Sequence, residues 1–312
     1  AGVELRHPWR VEAIEPPAES GGDFAIRAAG EGGETIHARR VILATGGRSL
    51  PRSGSDGHGH AMVRSLGHSL TDRVFPSLVP LLLADGHPLR ELSGIAMPAA
   101  VEVRRPTGKR IVRFENDLLC THFGLSGPAA LDASRWWIDA FMDDREARFV
   151  IDWLPAVPEP ELEEALAAAG PGTVLGQLRE HLPERLARVL CEIARVDPQT
   201  RRGQLRRELR RALVMTIKQM EVPVTGNRGY VFAEVTAGGV PLSEIRLETM
   251  ESRIRPGLHL CGEICDVDGR IGGFNFQWAW ASGFVAGEAV AVAAGDDVAS
   301  PSSADTPKEM TA

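Results

Sequence analysis

Hydrophobic and polar positions alternate in short runs through the first 45 residues, which predicts a series of β-strands. Glycines at 21–22 and in the stretch 30–33 separate the runs and predict turns. The last run is continuously apolar, as expected of a buried strand. The predicted strands cover Val3–Leu5, Arg10–Ile14, Phe24–Ala28, Thr35–Ala38 and Val41–Leu43.

A turn of small residues follows the last predicted strand, and a helix is predicted after it from Gly57 to Leu66. Small residues let a backbone approach a ligand closely, and the carboxyl ends of strands are a common binding edge. The turn is therefore predicted to bind a ligand, with a bare turn as the alternative. Its residues are Ala44, Thr45, Gly46 and Gly47.

The pattern changes at residue 75, where prolines begin to separate short apolar runs. Alternating segments at Ala100–Val103 and Arg110–Phe114 predict paired strands. Four segments between residues 159 and 218 have apolar positions at helical spacing, with a proline near the start of each. Alternation returns at Val222–Val235. The middle of the chain is thus predicted to be a β-rich unit interrupted by helices.

Residues 258–287 predict a buried strand, a glycine-rich loop and a packed helix that begins at Phe274. The start of a helix carries unpaired N–H groups and partial positive charge, which suit an anion or an electron-rich carbonyl. Glu263 and Asp266 follow the strand, where carboxylates can accept hydrogen bonds from sugar or ribityl hydroxyls. A tight turn without a ligand is the alternative.

Three stretches in this order resemble the YhiN/BaiN-like family of FAD-dependent NAD(P) oxidoreductases. The resemblance implies a mixed α/β fold, in which a discontinuous FAD/NAD(P)-binding Rossmann-like domain contains an inserted β-barrel-like domain with a helical insertion. It also implies FAD as the cofactor and an enzyme that passes reducing equivalents from NAD(P)H to a small-molecule acceptor. The stretches are VILATGGRSLPRSGSDGHGHAMVRSLGH from Val41, LLCTHFGLSGPAALDASR from Leu118 and LHLCGEICDVDGRIGGFNFQWAWASGFVAG from Leu258.

The resemblance also implies which residues contact the cofactor. His122 is the candidate for proton transfer, because imidazole titrates near neutral pH, and a hydrogen-bonded structural histidine is the alternative. No metal site is predicted. Cys261 and Cys265 are either a redox pair or two buried small residues. The predicted FAD-binding residues are Ala44, Thr45, Gly46, Gly47, Gly262, Glu263, Asp266, Gly272, Gly273, Phe274 and Asn275.

The pattern and the resemblance together divide the chain into six predicted segments. Residues 1–74 and 249–294 form the two parts of the FAD-binding domain, and residues 75–154 and 219–248 form the two parts of the inserted β-rich domain. Residues 155–218 are the helical insertion. Residues 295–312 are polar and are predicted to be a disordered tail.

Composition narrows the classes of partner. A net charge of -7 and a pI near 5.8 argue against a non-specific nucleic-acid binder. No apolar run reaches the roughly 18 residues of a membrane span. Four cysteines are too few and too unevenly spaced for a disulfide framework, so a reducing cytoplasm is expected. We therefore predict a small-molecule substrate, no nucleic acid and no membrane, and the sequence indicates no particular oligomeric state.

The start of the chain reads Ala1-Gly2-Val3, and no strand followed by GxGxxG occurs in the sequence. In the resembled family this phosphate-binding fingerprint lies upstream of the matched region, so the chain is expected to be truncated. Two alternatives to an enzyme follow: a non-catalytic flavin- or nucleotide-binding module, and a fragment unable to hold FAD. A fumarate-reductase-like dehydrogenase is a further alternative, but its substrate-binding histidine and arginine motifs are not evident.

Overall fold

A computed structural model describes residues 2–19, 21–30 and 32–299. The strands in these residues are β1 Val11–Glu15, β2 Phe24–Ala28, β3 Thr35–Ala38, β4 Val41–Leu43, β5 Phe75–Ser77, β6 Leu81–Leu83, β7 Ala96–Arg104, β8 Arg110–Thr121, β9 Gly124–Ser126, β10 Arg148–Asp152, β11 Met220–Val222, β12 Val224–Asn227, β13 Val235–Ala237, β14 Ile245–Arg246, β15 Glu251–Ser252 and β16 Leu258–Leu260. The helices are α1 His58–Ser65, α2 Pro128–Asp143, α3 Glu159–Ala167, α4 Val174–Leu178, α5 Glu184–Ile193, α6 Arg207–Lys218 and α7 Phe274–Ala299.

The first three strands form an antiparallel meander in the order β1-β2-β3. Phe24 pairs with Ala38 and Ile26 with Ile36, so one face of the meander carries the apolar side chains. The strand predicted at residues 3–5 is wrong. Val3 and Leu5 are each 88% exposed, and the segment pairs with no strand in the described part of the chain. An alternating pattern forms a strand only when a neighbouring strand accepts its hydrogen bonds.

A second sheet has four strands in the order β14-β15-β16-β4. β16 runs parallel to β4, with Leu258 opposite Val41 and Leu260 opposite Leu43. Two parallel neighbours end at the same edge of a sheet. The small-residue turn after β4 and the glycine-rich segment after β16 therefore meet at that edge.

A seven-stranded antiparallel sheet has the order β11-β10-β7-β8-β9-β6-β12. Its edge strands β11 and β12 are separated in sequence by Pro223 alone. Because one residue spans only a few ångströms, the sheet curls until its two edges approach each other. We call it the barrel-like sheet. The hairpin β7-β8 is its longest pairing, from Ala96 opposite Leu119 to Arg104 opposite Arg110.

Helices α3 to α6 lie between β10 and β11 in sequence and pack on the core of the barrel-like sheet. Leu162 of α3 and Leu186 of α5 belong to the same buried cluster as Phe149 and Ile151 of β10. Helical periodicity located all four helices, because each buries one apolar stripe and exposes the other side. The insertion and the barrel-like sheet thus share one hydrophobic core.

Helix α7 packs on the parallel pair through Ser282 and Ala286, which are buried. Its other side leaves Phe276, Trp280 and Phe284 between 66% and 70% exposed. The helix continues to Ala299, so residues 295–299 are helical and do not belong to the predicted tail. The rest of that prediction, 300–312, lies outside the described residues. Among the helices of the described chain, none combines the length and apolar character needed to span a bilayer.

Candidate functional site

A cleft of about 380 Å³ lies where the glycine-rich segment after β16 meets the two-stranded antiparallel sheet that β5 forms with β13. We call Asp268–Gly273, which precedes α7, the glycine loop. One wall of the cleft consists of this loop and the first turn of α7. The opposite wall includes Leu78, Glu234 and Val235. The other residues that line the cleft are Leu50, Glu263, Arg270, Ile271, Gly272, Gly273, Asn275, Phe276 and Ala279.

The turn after β4 approaches Glu263 so closely that only glycine fits at position 47. A Cβ on Gly47 would lie 2.5 Å from Oγ1 of Thr236 and 2.6 Å from Oε1 of Glu263. Thr236 Oγ1 also accepts hydrogen bonds from the backbone N–H of Arg48 at 2.7 Å and of Ser49 at 3.1 Å. One threonine therefore joins the turn after β4 to β13.

The carboxyl group of Glu263 lies beside this turn. Its Oε1 accepts a hydrogen bond from the backbone N–H of Thr236 at 3.0 Å. Burial raises the pKa of Glu263, the hydrogen bonds with Thr236 oppose that rise, and the charge of Asp268 adds to it. A buried carboxyl group is stabilised by additional hydrogen-bond donors, such as the hydroxyls of a bound ligand.

Helix α7 is attached to the end of β16 by two hydrogen bonds. Trp278 Nε1 donates to the carbonyl of Gly262 at 2.9 Å, and the N–H of Gly262 donates to Oγ of Ser282 at 2.9 Å. Gly272 and Gly273 have φ values of 122° and 86°, which favour glycine. The chain can therefore turn sharply and present the start of α7 at the cleft.

The amide of Asn275 closes the glycine loop. Its Oδ1 accepts from the N–H of Gly269 at 2.8 Å, and its Nδ2 donates to the carbonyl of the same residue at 3.1 Å. Both ends of the amide are thus used inside the protein. Asn275 thus lines the cleft and shapes the loop, and its direct contact with the cofactor stays a prediction.

Two buried polar atoms near the turn after β4 have no hydrogen-bond partner among the described residues: Oγ1 of Thr45 and Nε2 of His60. A Cβ on Gly59, in the first turn of α1, would lie 2.0 Å from Thr45 Oγ1. Burial, followed by the charges of Arg48 and Arg64, lowers the pKa of His60. Unpartnered buried groups are rare, so this edge of the sheet suits a ligand that carries hydroxyl or phosphate groups.

The structure brings together many of the predicted residues, but not all of them. Gly47 touches Glu263 across the strand ends, and Gly272, Gly273 and Asn275 line the cleft. Ala44 is exposed at the end of β4, and Gly46 faces Ser55. Asp266 donates its N–H to the carbonyl of Val240, and Phe274 lies with its ring centroid 5.0 Å from the guanidinium of Arg270.

His122 lies apart from these residues, at the turn between β8 and β9. The side chain is exposed, and its ring contacts Phe123 edge to face with centroids 5.0 Å apart. Its carbonyl accepts a hydrogen bond from Nε of Arg90 at 2.8 Å. His122 is not among the residues that line the cleft. Proton transfer by this side chain stays a prediction.

Sequence reasoning missed Thr236, Asp132 and Arg270. Thr236 stands one residue before two glycines in VTAGGV, and Asp132 stands in LSGPAALDASR, where the sequence analysis assigned no role to it. The paired glycines near Thr236 were a sequence signal for a close approach of the backbone. No local signal showed which residues Thr236 or Asp132 would contact.

The four cysteines are free and buried. Burial raises the pKa of Cys265 to about 12, with smaller effects of Cys261 and Asp266, and burial also raises the pKa of Cys261. Thiols in such surroundings stay protonated and react slowly. The interpretation as two buried small residues is thus favoured over a redox pair. Among the described residues there is no cluster of three or more side chains suited to hold a metal.

A buried Ser-His-Glu arrangement lies behind the parallel pair. His68 Nδ1 is 2.7 Å from Oε2 of Glu244, and its Nε2 is 2.8 Å from Oγ of Ser252. The serine oxygen also accepts the N–H groups of Ile254 and Arg255. Because Ser252 is fully buried, no substrate can reach this oxygen. The arrangement therefore holds residues 254–255, which follow β15, in place by hydrogen bonds.

The sequence matches a protein-family model and several known proteins over most of its length. The family model described as the HI0933-like protein Rossmann domain matches residues 1–289. The chain is 33% identical over 294 residues to a 3-dehydro-bile acid delta(4,6)-reductase of Clostridium scindens, covering 93% of this chain and 69% of that protein.

Two further relatives carry the name ribosomal RNA dihydrouridine synthase. The Escherichia coli protein is 36% identical over 257 residues, covering 80% of this chain and 60% of the relative. The Haemophilus influenzae protein is 35% identical over 251 residues, covering 79% and 59%. The chain thus spans about three fifths of these two relatives. The mixed α/β, Rossmann-like fold predicted from the sequence is confirmed, and the chain belongs to the HI0933-like family, to which the YhiN/BaiN-like proteins belong.

Proposed function

We propose that this protein is a flavin-dependent reductase that uses NAD(P)H to saturate a carbon–carbon double bond conjugated to a carbonyl group. The observation that carries the proposal is the contact of Gly47 with the buried carboxyl of Glu263 at the carboxyl edge of β4 and β16. Strand ends with glycine turns and an acidic residue are the usual place for a dinucleotide cofactor in parallel sheets. The membership of the family supports FAD as that cofactor.

The names of the relatives support the type of reaction. A delta(4,6)-reductase that acts on a 3-dehydro bile acid removes double bonds conjugated to a ring ketone. A dihydrouridine synthase removes the uracil double bond that is conjugated to a ring carbonyl. The two substrates differ greatly in size and polarity, but the bond reduced has the same electronic character. We infer that this chemistry is shared by the present protein.

The described residues fit FAD, which when bound would supply hydride transfer. Oε1 of Glu263 accepts from Thr236, and a carboxyl group has further acceptor positions that suit ribityl hydroxyls. Thr45 Oγ1 and His60 Nε2, the unpartnered buried atoms, suit the more polar part of the cofactor. The start of α7 at Gly273 carries partial positive charge, which stabilises negative charge on a ligand beside it.

The walls of the cleft exclude water from one side of the site. Leu50, Leu78, Val235 and Ile271 contribute apolar surface. Electrostatic interactions are stronger where water is excluded, so a carbonyl oxygen that gains charge is better stabilised by fixed N–H groups there. Arg270 lines the same cleft and brings a positive charge to it.

A uridine in RNA is the second candidate substrate, and an arginine-aromatic surface beside the cleft favours it. The guanidinium of Arg228 lies 3.4 Å from the ring centroid of Phe232 and 4.4 Å from that of Phe123. Arg48 lies 4.4 Å from the ring of Tyr230, whose carbonyl accepts the N–H of the cleft residue Leu50. Unstacked bases bind to aromatic rings and guanidinium planes. A small-molecule substrate without nucleic acid, as the sequence predicts, remains the first candidate.

The test is a titration of the purified chain with FAD, followed by anaerobic addition of NADPH or NADH while the flavin absorbance is recorded. The proposal expects bound flavin that is bleached by one of the two donors and reoxidised by an α,β-unsaturated ketone. Reoxidation by a uridine-containing RNA in place of the ketone would select the second candidate. Bound flavin that neither donor bleaches would indicate a non-catalytic binding module, and failure to retain flavin would indicate a fragment unable to hold it.

A further inference from the structure

Helix α2 contacts the glycine loop from the side of the barrel-like sheet. Oδ1 of Asp132 accepts the backbone N–H of Ile271 at 2.7 Å. One turn further along α2, Nε of Arg135 donates to Oδ2 of Asp268 at 2.7 Å. The same carboxylate oxygen lies 3.4 Å from Oγ of Ser77. Two side chains of one helix thus hold the first residue and the middle of the glycine loop.

The two carboxyl groups in these contacts are shielded from solvent. Asp132 is 7% exposed, and the side chain of Asp268 is 5% exposed. At the second contact the loop also has an apolar anchor, because the side chain of Ile271 packs against Leu78, Leu131 and Val235. Hydrogen bonds to ionised groups in such surroundings are stronger than those at the surface.

The loop needs an external support because its own backbone is permissive. Gly272 and Gly273 both have φ values in the left-handed region, and a Cβ on Gly273 would meet nothing within 4 Å. Glycine loses more conformational freedom on ordering than any other residue. The amide of Asn275, in the first turn of α7, bonds only to Gly269 of the loop. Contacts from α2 therefore decide where Arg270 and Ile271 lie in the cleft.

The sequence places the two supporting residues on one side of the helix. Asp132 and Arg135 are three residues apart, a spacing that puts side chains next to each other on a helix. Ala129, Ala130 and Ala133 of the same helix are buried in the core of the barrel-like sheet. One side of α2 is thus fixed to that core, while another side carries the groups that reach the loop.

We propose that Asp132 and Arg135 are positioning residues of the cleft, which hold the glycine loop in its ligand-binding shape from the barrel-like sheet. Their action on a ligand rests on the proposed function, whereas their action on the loop does not. Neither residue needs to touch the cofactor or the substrate. The wall of the cleft is thereby linked to the position of α2, so a shift of this helix would move the loop.

Hydrogen–deuterium exchange of the peptide covering residues 266–276 tests the support directly. In Asp132→Ala the exchange of this peptide should rise at least about tenfold, the change expected when a hydrogen bond to an ionised group is lost. Asp132→Asn keeps an oxygen acceptor, so the exchange of the peptide should rise less in this variant. Asp139→Ala is the matched control, because Asp139 lies on the same helix but pairs with Arg73, which is outside that helix and outside the glycine loop. This control should leave the peptide unchanged.

Two results would overturn the proposal. One is a peptide that exchanges in Asp132→Ala as it does in the unsubstituted protein. The other is an increase that is equally large in peptides of β7 and β8, which would mean general destabilisation. Should Asp132→Ala fail to fold, Arg135→Gln gives the same comparison, since it removes the charge that faces Asp268.

A titration with FAD forms the second arm. Weaker binding by Asp132→Ala than by Asp139→Ala is expected, with Asp132→Asn in between. Equal binding by all three proteins would contradict the effect on the ligand. If no protein, substituted or not, binds FAD, the proposed function fails for this chain, whereas the exchange experiment still decides whether α2 supports the loop.

Discussion

Gly47 and Glu263 lie so close together that a methyl group at position 47 would come within 2.6 Å of Oε1 of Glu263. The two residues belong to segments that follow β4 and β16, which pair in parallel. Their contact therefore depends on the register of that pair. It also fixes the distance between the turn after β4 and the carboxyl group at the cleft.

Gly47→Ala should destabilise the protein by about 1–3 kcal/mol, the usual cost of inserting a methyl group into a packed site. The inserted Cβ would meet Thr236 Oγ1 as well as Glu263, so neither neighbour can move without losing a hydrogen bond. Urea denaturation measures the change. Gly287→Ala is the control, because a Cβ there meets nothing within 4 Å in helix α7. It should stabilise the protein by about 0.5–1 kcal/mol. Equal effects of the two changes would contradict the close contact.

Glu263→Gln should raise the melting temperature of the ligand-free protein by about 2 °C or more near pH 7. The pKa of Glu263 is raised in the folded state, chiefly by burial, so its favourable contribution is complete below the unfolded pKa. That contribution is lost as the pH rises through the folded pKa, whereas glutamine stays neutral throughout. The difference between the two proteins should therefore disappear on lowering the pH to about 4.

Scanning calorimetry between acidic and neutral pH checks this dependence. Glu248→Gln, a change at an exposed carboxyl, should alter the melting temperature much less. A Glu263→Gln protein that is less stable than the original at neutral pH would show that the carboxylate is stabilised by its neighbours, and the interpretation of its environment would be wrong.

The buried thiols should not react with Ellman's reagent in the folded protein at pH 8. Burial raises the pKa of Cys265 to about 12 and that of Cys120 and Cys191 to about 11, so little thiolate exists. Titration in guanidinium chloride should then release all four thiols. Rapid reaction of the folded protein, or only two thiols after denaturation, would instead support a redox pair at Cys261 and Cys265.

Ser252→Ala should cost about 1–3 kcal/mol of stability, because it leaves buried donors without an acceptor. The serine oxygen accepts the N–H groups of Ile254 and Arg255 and lies 2.8 Å from Nε2 of His68. Urea denaturation of this variant should be compared with Ser53→Ala, which loses one exposed hydrogen bond. A loss as small as that of the control would show that the buried network contributes nothing to stability.

The sequence alone located most of the local elements of this protein. The strands Phe24–Ala28, Thr35–Ala38 and Val41–Leu43 and the start of α7 at Phe274 lie where the pattern predicts them. The periodicity of apolar positions and the glycines or prolines at element ends are local properties of the sequence. The local pattern is therefore enough to locate a strand or a helix along the chain. The same holds for the glycine loop before α7, whose glycines indicated a sharp turn.

The tertiary structure alone decided which local elements meet. β4 and β16 are more than 200 residues apart, and their parallel pairing places Gly47 against Glu263. Neither the exposed position of His122 nor the support of Ile271 by Asp132 has a local signal. The physical reason is that such contacts depend on how separate hydrophobic faces pack, and not on the neighbours in sequence. The sequence determined the pieces of the site, and packing determined their distances.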